Sequence, residues 1–303
     1  MKNWKIMVLT VLIIWAISFL LSNFFKDFSD IKLGNKIAVI PIYGEITLTG
    51  TGNFFDLSGT SSNNILDAIQ KAEQDPSIKG ILLEINSPGG TVVASEEIAN
   101  AVKKAKKPVV SWIREEGASG AYWIASSSDK IVANPLSITG SIGVLASYLE
   151  FSGLLQKYGV TYEQLTAGSY KDLGTPFKKL NETEKNFLQE KINKVHDYFI
   201  NQVAENRNLS KEQTEKVSNG AFYLGLEAKD LGLVDILGNK DDAVNELKKM
   251  ANIKDASLVV YQKKLSFFDV LANVAAFNSF YIGKGISYGI SEKLNSNSID
   301  IKT

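Results

Sequence analysis

The stretch GILLEINSPGG at residues 80–90 carries the two features that predict the fold of this chain. Its first part, residues 80–85, is a short continuous apolar run, as expected of a strand covered on both faces in a parallel sheet. The second part, NSPGG at 86–90, turns the chain towards a helix. Paired glycines allow a sharp turn and leave backbone N–H groups exposed, and ligands of open α/β sheets gather beyond the carboxyl ends of strands. The stretch therefore predicts an α/β fold with either half of an oxyanion hole or a plain tight turn at this loop.

Strands and helices alternate on both sides of this stretch. Residues 36–48 are rich in β-branched residues and predict one strand or a bent pair. In chain order we then expect a helix at 64–74, the strand at 80–85, a helix at 95–106, a strand at 108–112, a helix at 119–127, a strand at 130–133, a helix near 148–158 and a strand near 161–166. From residue 181 the pattern is mainly helical, with a long helix at 182–205 and a closing helix at 241–250. The alternation predicts parallel βαβ layers.

The composition narrows the chemistry that the chain can perform. Lys and Arg together number 33, as do Asp and Glu, so the overall charge gives no indication of nucleic-acid binding. The absence of cysteine excludes disulfides, thiolate zinc sites and cysteine nucleophiles. The single histidine, His196, lies in a strongly helical stretch and is interpreted as a helix-surface residue. We therefore expect no metal site and no cofactor, and a hydrolase here would use a general base other than histidine.

The N-terminus predicts a membrane anchor. Lys2 and Lys5 precede an apolar run at residues 6–25, and about 20 helical residues cross the hydrocarbon core of a bilayer. Lysines on the short N-terminal side favour a cytoplasmic N-terminus. We therefore expect a single-pass protein of the cell membrane, with residues 1–5 in the cytoplasm, a linker at 26–35 and the catalytic domain outside the cytoplasm. A cleaved signal peptide is the alternative, but the apolar run continues past its small-residue pattern.

A second motif, GASGAYW at 117–123, centres on one serine. Small neighbours leave the Oγ of Ser119 unobstructed, the Gly120 N–H is available as an oxyanion donor, and a helix N-terminus favours negative charge. The pattern predicts a nucleophile, although serine in this position also serves as a helix N-cap in many proteins.

Two further motifs lie downstream. TGSIGV at 139–144 frames Ser141 with glycines, and AGSYKD at 167–172 carries Lys171 after an expected strand. A lysine acts as a base only when desolvation lowers its pKa towards neutrality. A surface lysine beside Asp172 is the alternative, and the segment alone favours that interpretation.

Together the four motifs, in this order and spacing, resemble those of the signal peptide peptidase A family in its short, single-repeat form. The resemblance covers roughly residues 36–250. It implies a ClpP/crotonase-like domain of repeated ββα/βαβ units at 36–252, and a membrane-anchored serine endopeptidase with a Ser–Lys dyad. The residues it implies are Ser119 as nucleophile, Lys171 as general base, Ser141 orienting the lysine, and Gly90, Gly120 and Gly89 around the oxyanion.

The resemblance also implies partners. Extended peptides, remnant signal peptides above all, would bind by strand addition beside Thr91 and Val92 and beside Ile142 and Gly143. Short members of the family form ring-like homo-oligomers, so the dyad would be shared between neighbouring subunits or held within one. Residues 253–303 are expected to cap a neighbouring subunit or to lie on a membrane surface. A crotonase-like acyl-CoA enzyme, a non-catalytic membrane scaffold, and Ser141 as the nucleophile are the alternatives.

Overall fold

The computed structural model describes residues 34–50 and 59–261, together with residues 4, 8, 10–15 and 18–19 near the N-terminus. Residues 26–33 of the expected linker and 262–303 of the expected tail therefore lie outside the described residues. Among the residues that are described, no helix is both long enough and apolar enough to cross a membrane. The prediction of a single-pass protein of the cell membrane with an extracytoplasmic catalytic domain is wrong on this finding, since a span needs about 20 apolar helical residues.

One large, mostly parallel sheet organises the domain. The strands in the described residues are β1 (Lys36–Tyr43), β2 (Ile46–Thr47), β3 (Thr60–Ser61), β4 (Ile78–Ser87), β5 (Val109–Ala118), β6 (Lys130–Ala133), β7 (Ile138–Gly140), β8 (Phe222–Leu224), β9 (Ile236–Leu237) and β10 (Ser257–Val260). Six of them are ordered β10-β1-β4-β5-β6-β9 with parallel neighbours. Strand β7 extends β5 in parallel and pairs with β8 in antiparallel fashion, while β2 and β3 form a separate pair. The predicted mixed α/β fold with parallel βαβ units is confirmed.

Helices cover both faces of this sheet. They are α1 (Ser62–Gln74), α2 (Val92–Lys103), α3 (Gly120–Ser126), α4 (Ser152–Lys157), α5 (Glu182–Arg207), α6 (Lys211–Val217), α7 (Gly225–Asp230) and α8 (Lys240–Met250), numbered from residue 34 onward. Both α5 and α6 begin with a capping box, in which the cap side chain and the third helical residue bond to each other's backbone N–H. The cap of α5 explains why this polar helix starts where the sequence predicts.

The pleat of the central strand divides the core in two. Leu83 and Ile85 of β4 face the cluster that includes the buried side chains of α1, α2 and α3. Leu82, one residue away, faces the opposite side, where Leu247 of α8 packs. Both clusters consist of buried hydrophobic side chains. Full burial of a Val, Leu, Ile or Phe side chain stabilises a fold by about 1.5–3 kcal/mol. The continuous apolar run at 80–85 is thus explained by burial on both faces.

A buried carboxylate lies at the end of β4. Glu84 accepts hydrogen bonds from the Tyr43 hydroxyl, from Arg114 Nη1 at 3.1 Å and from Lys240 Nζ at 2.6 Å. Burial alone would raise the pKa of Glu84, but the hydrogen bonds from Lys240 and Tyr43 and the two cationic charges lower it on balance. The network joins β1, β4, β5 and the start of α8, and so stabilises the end of the sheet that carries the loops.

Residues 145–180, here termed the arm, leave the body after the Ser141 motif. The expected strand at 161–166 is wrong: these residues are exposed and belong to no sheet. Their β-branched and aromatic residues predict a strand only where neighbouring side chains cover them, and among the described residues these side chains remain exposed. Apolar side chains of the arm instead face solvent, including Leu145, Leu149, Tyr158 and the fully exposed Leu165. The arm is the largest exposed apolar segment in the described residues.

Candidate active site

Ser119 occupies a strained junction between strand and helix. Strand β5 ends at Ala118 and α3 begins at Gly120, so Ser119 alone makes the turn, with φ 53° and ψ −123°. A positive φ at a non-glycine residue costs about 1–3 kcal/mol and tends to occur where function requires it. Ser119 occupies the N-cap position of α3, but its side chain makes no capping hydrogen bond, so the hydroxyl is not used as a cap. The turn instead presents Oγ to the end of the sheet, as strand-to-helix turns do for nucleophilic serines.

Two backbone N–H groups lie beside this serine. In the described part of the chain, neither the Gly90 N–H nor the Gly120 N–H makes a hydrogen bond. The two loops are in contact: a Cβ on Gly120 would lie 3.4 Å from the Gly90 nitrogen. Free N–H groups in this position are the donors that an oxyanion requires.

Gly89 differs from the other two glycines. Its N–H donates to Ser87 Oγ at 3.1 Å, so Gly89 does not supply an oxyanion donor and that prediction is corrected. The residue instead provides the turn, since its φ of 103° favours glycine and a Cβ there would lie 2.7 Å from the Gly120 nitrogen. Gly89 therefore allows the two loops to approach each other.

The PGG loop is held by two residues that sequence reasoning missed. The Ile46 N–H donates to the Gly89 carbonyl at 2.8 Å, and the Thr91 N–H donates to the Ile46 carbonyl at 2.8 Å. Ser87, which is fully buried, donates its hydroxyl to the Gly44 carbonyl at 2.6 Å. The only signal in the sequence was the apolar residue Ile46 after the glycine at 44, which does not by itself identify a bridge across 44 residues of chain.

The strand-addition prediction after Gly90 is also corrected. Thr91 has both backbone groups occupied, since its carbonyl accepts from the Ser95 N–H at 3.1 Å and from the Ser95 hydroxyl at 3.0 Å. Val92 already begins helix α2, so this segment offers no extended edge. On the other side, residues 141–151 belong to neither helix nor sheet, which leaves Ile142 and Gly143 as the predicted edge.

A cavity of about 160 Å³ opens next to Ser119. Gly90, Gly120, Ser95 and Gly143 form its polar and backbone wall. The remaining wall is apolar and consists of Val92, Trp123, Val144, Leu145, Val195 and Phe199. The cavity can therefore take an apolar side chain next to the nucleophile, and the predicted residues Val92 and Gly143 both line it.

Ser141, like Ser119, has a positive φ. Its φ is 50°, and its N–H donates to the Ala221 carbonyl at 2.8 Å. The next residue, Ile142, is buried, and its carbonyl accepts a hydrogen bond from His196 Nε2 at 3.2 Å. The sequence predicted a helix-surface histidine. In the structure His196 is partly buried, and its hydrogen bond to Ile142 supports the segment that follows Ser141.

Lys171 lies in a turn of the arm, and its side chain is exposed. Its N–H donates to the Gly168 carbonyl at 3.1 Å, but in the described residues the side chain has no hydrogen bond or ion pair, and it does not line the Ser119 cavity. These observations agree with the alternative of a surface lysine beside Asp172, and the Asp172 carboxylate itself pairs with Lys178 at 2.6 Å. Within one chain, then, the structure does not bring Lys171 to Ser119.

A cavity larger than the one at Ser119 lies elsewhere in the described residues. It measures about 330 Å³, is lined by Asn86, Trp112, Arg114 and Asn134 among others, and contains no nucleophile. Across residues 34–50 and 59–261, no group of three or more His, Asp or Glu side chains is placed to bind a metal ion. The smaller cavity at Ser119 is therefore the candidate active site, because it combines a hydroxyl with two free N–H donors.

Known proteins were compared with the chain, and two family models match it. Peptidase family S49 matches residues 101–254, and the ClpP-like SDH-type serine proteinase family matches residues 18–159. A relative from Methanocaldococcus jannaschii that is named as a protease is 38% identical over 88% of this chain and 85% of its own length. One from Enterococcus faecium, named for signal peptide peptidase SppA, is 38% identical over 77% of this chain and 69% of its own length.

A solved structure shares the fold. It is the 1510-N membrane-bound stomatin-specific protease with a substrate peptide, which aligns over 80% of this chain and 98% of its own with a TM-score of 0.50. At 16% identity this likeness concerns the fold alone. The family match and the two relatives decide the class: the chain belongs to peptidase family S49 and is a serine peptidase rather than an acyl-CoA enzyme or a scaffold.

Proposed function

We propose that the chain is an endopeptidase that uses Ser119 as nucleophile and Lys171 as general base. The observation that carries the proposal is the arrangement at Ser119, where a strained serine lies beside the free N–H groups of Gly90 and Gly120. Strain of this kind persists only where surrounding structure enforces it, and it clusters at active sites. The single histidine, His196, bonds through Nε2 to the backbone carbonyl of Ile142 and not to Ser119.

The proposed reaction is acyl transfer. A neutral lysine takes the Ser119 proton while Oγ attacks the scissile carbonyl, and the negative oxygen accepts hydrogen bonds from Gly90 and Gly120. The protonated lysine then gives its proton to the leaving amine, and a lysine-activated water hydrolyses the acyl-enzyme. Ser141 is the residue proposed to orient the lysine, by a hydrogen bond that leaves the lysine lone pair directed at the nucleophile.

The lysine is proposed to reach a Ser119 on a neighbouring subunit of a ring-like homo-oligomer. Its exposed position, outside the cavity of its own chain, supports this arrangement. The exposed apolar side chains of the arm that carries Lys171 support it as well, because such a surface is stabilised when another subunit covers it.

Substrates are proposed to be apolar peptides such as remnant signal peptides. The six apolar side chains around the cavity support this class, since they favour an apolar residue on the acyl side of the scissile bond. The name of the Enterococcus faecium relative refers to the same class. Backbone pairing with the peptide is proposed for Ile142 and Gly143, which belong to neither helix nor sheet.

Hydrolysis of a fluorogenic apolar peptide tests the proposal. Ser119→Ala and Lys171→Ala should each abolish turnover, while Lys157→Ala, a control on an exposed lysine of the arm, should retain it. Mixing the two inactive variants under conditions of subunit exchange should restore part of the activity. Full activity of Lys171→Ala would refute the dyad, and failure of every mixture would place both residues of the dyad in one subunit.

A further inference from the structure

Both neighbours of Lys171 connect its turn to helix α5, Tyr170 by a direct contact and Asp172 through Lys178. On one side, the Tyr170 ring stacks on Phe187 with centroids 4.5 Å apart and an interplanar angle of 14°. On the other side, the Asp172 carboxylate bonds to Lys178 Nζ at 2.6 Å. The turn that carries Lys171 is therefore held at two points while the Lys171 side chain itself stays exposed.

Lys178 connects this turn to a buried carboxylate. Its Nζ also bonds to Glu184 Oε1 at 2.8 Å, and the other oxygen of Glu184 accepts from the Asn181 N–H at 2.9 Å. The Glu184 side chain is 5% exposed and that of Asp172 is 16% exposed, so both carboxylates are largely shielded from water. The hydrogen bonds to Lys178 lower the pKa of both carboxyls, and those to Asp172 and Glu184 raise the pKa of Lys178.

The position of Asp172 makes this connection relevant to catalysis. A carboxylate next to a lysine favours the ammonium form of that lysine, which cannot act as a base. Asp172 directly follows Lys171, yet its carboxylate is bonded to Lys178 instead. In the described residues, Lys178 and Glu184 are the charged side chains that interact with Asp172.

We propose that Lys178 is a positioning residue for Lys171: it withholds the Asp172 carboxylate from the neighbouring lysine and fixes the turn on helix α5. The inference rests on the proposed function, in which Lys171 is the base. Lys178 itself contacts neither Ser119 nor the cavity, so it acts through Asp172. Loss of Lys178 would free Asp172 to pair with Lys171 and so keep the base protonated up to a higher pH.

A matched control is Lys185, in the first turns of helix α5. Lys185 bonds to Glu182 at 2.7 Å, but these side chains are 56% and 81% exposed and make no connection to the Lys171 turn. Exposed pairs of this kind contribute little to stability or to charge states elsewhere. Replacement of Lys185 therefore removes a lysine from the start of helix α5 and leaves the ion pair of Asp172 with Lys178 unchanged.

The test is the pH dependence of kcat/KM for apolar peptide hydrolysis in the full chain. Lys178→Met should move the acid midpoint of the profile upward by about one pH unit, the lower end of the range for a nearby opposite charge. Adding Asp172→Asn to Lys178→Met should return the midpoint to that of the wild type. Lys178→Arg and Lys185→Met should leave it in place.

The possible outcomes separate the two hypotheses. Suppose that Lys171→Ala is inactive. If Lys178→Met then leaves the acid midpoint unchanged, or if adding Asp172→Asn does not reverse the shift caused by Lys178→Met, the role of Lys178 is refuted and the dyad stands. If Lys171→Ala retains activity, the proposed function itself fails. If Lys178→Met folds poorly, Lys178→Gln takes its place in the test. In addition, Asp172→Asn alone must leave the acid midpoint of the pH profile unchanged or lower it.

Discussion

The backbone N–H of Ser119 donates a hydrogen bond to the carbonyl of Gly140 at 2.9 Å. This bond extends the pairing of β5 with β7 by one residue and places the Ser141 turn directly beside the Ser119 turn. Both serines have φ near +50°, a conformation in which a residue with a side chain is strained. The two motifs are thus parts of one structural unit at the end of the sheet.

Gly140→Ala should disrupt this unit. The glycine has φ of 78°, and a Cβ there would lie 2.8 Å from the Tyr223 ring. We expect a loss of about 1–3 kcal/mol in the free energy of unfolding, from strain at the backbone together with the contact. Thermal denaturation measures it. Gly153→Ala, in helix α4 with no atom near its Cβ, is the control and should be neutral or slightly stabilising. Equal stability of the two variants would contradict the account.

Gly120→Ala should lower kcat by about a hundredfold, the loss expected when one oxyanion donor is displaced. The added Cβ would lie 2.2 Å from Ser95 Oγ, so helix α3 must move away from α2 and carry the Gly120 N–H with it. Removing that oxygen with Ser95→Ala should restore part of the activity in the double variant. Steady-state kinetics on the fluorogenic peptide provide the measurement. An unchanged kcat in Gly120→Ala would argue against Gly120 as a donor.

Glu84→Gln should destabilise the protein near neutral pH by about 1–3 kcal/mol, because Lys240 and Arg114 lose a charged acceptor. The lowered pKa of Glu84 means that its contribution is present above the ordinary glutamate pKa of about 4.3 and is lost as the pH falls through the folded-state pKa. Urea denaturation at pH 7 and near pH 3 should therefore show a difference from wild type that shrinks in acid. Glu182→Gln, at an exposed site, is the control. A pH-independent difference would contradict the charge-based explanation.

Much of this fold was predictable from local pattern, whereas contacts between distant segments were not. The doubly buried run at 80–85 and the capped helix from residue 182 carry their own signals, since burial and capping depend on nearby residues. The small residues around Ser119 likewise indicate the turn. The bridge from Ile46 to the PGG loop and the bond from His196 to Ile142 depend on which segments meet in space, and neither residue type signals them.

The arm, residues 145–180, shows most clearly what could not be predicted from the sequence of one chain. The residues near 161–166 have the composition of a strand, but none of the described strands pairs with them. Lys171 could be selected among the lysines only through the resemblance to a family, because its turn has no local feature that desolvates it. In the proposed ring, a second subunit would cover the residues near 161–166 and would also desolvate Lys171.

Leu165→Asp should test that arrangement. The side chain is fully exposed in the arm, so the charge should not destabilise an isolated chain, but it should oppose burial against a neighbouring subunit. We expect a smaller assembly by light scattering after gel filtration, together with reduced peptidase activity. Leu226→Asp, at a half-exposed leucine of α7 outside the arm, is the control. An unchanged mass and activity for Leu165→Asp would remove the arm from the interface.

The central claim, that Ser119 is the nucleophile, is tested most directly by mass spectrometry of the protein after reaction with a fluorophosphonate. We expect a single phosphonylated residue, Ser119, and no adduct in Ser119→Ala. The control variant Ser127→Ala, at the end of the same helix, should react as the wild type does. An adduct on Ser141 or Ser95 in place of Ser119 would contradict the account.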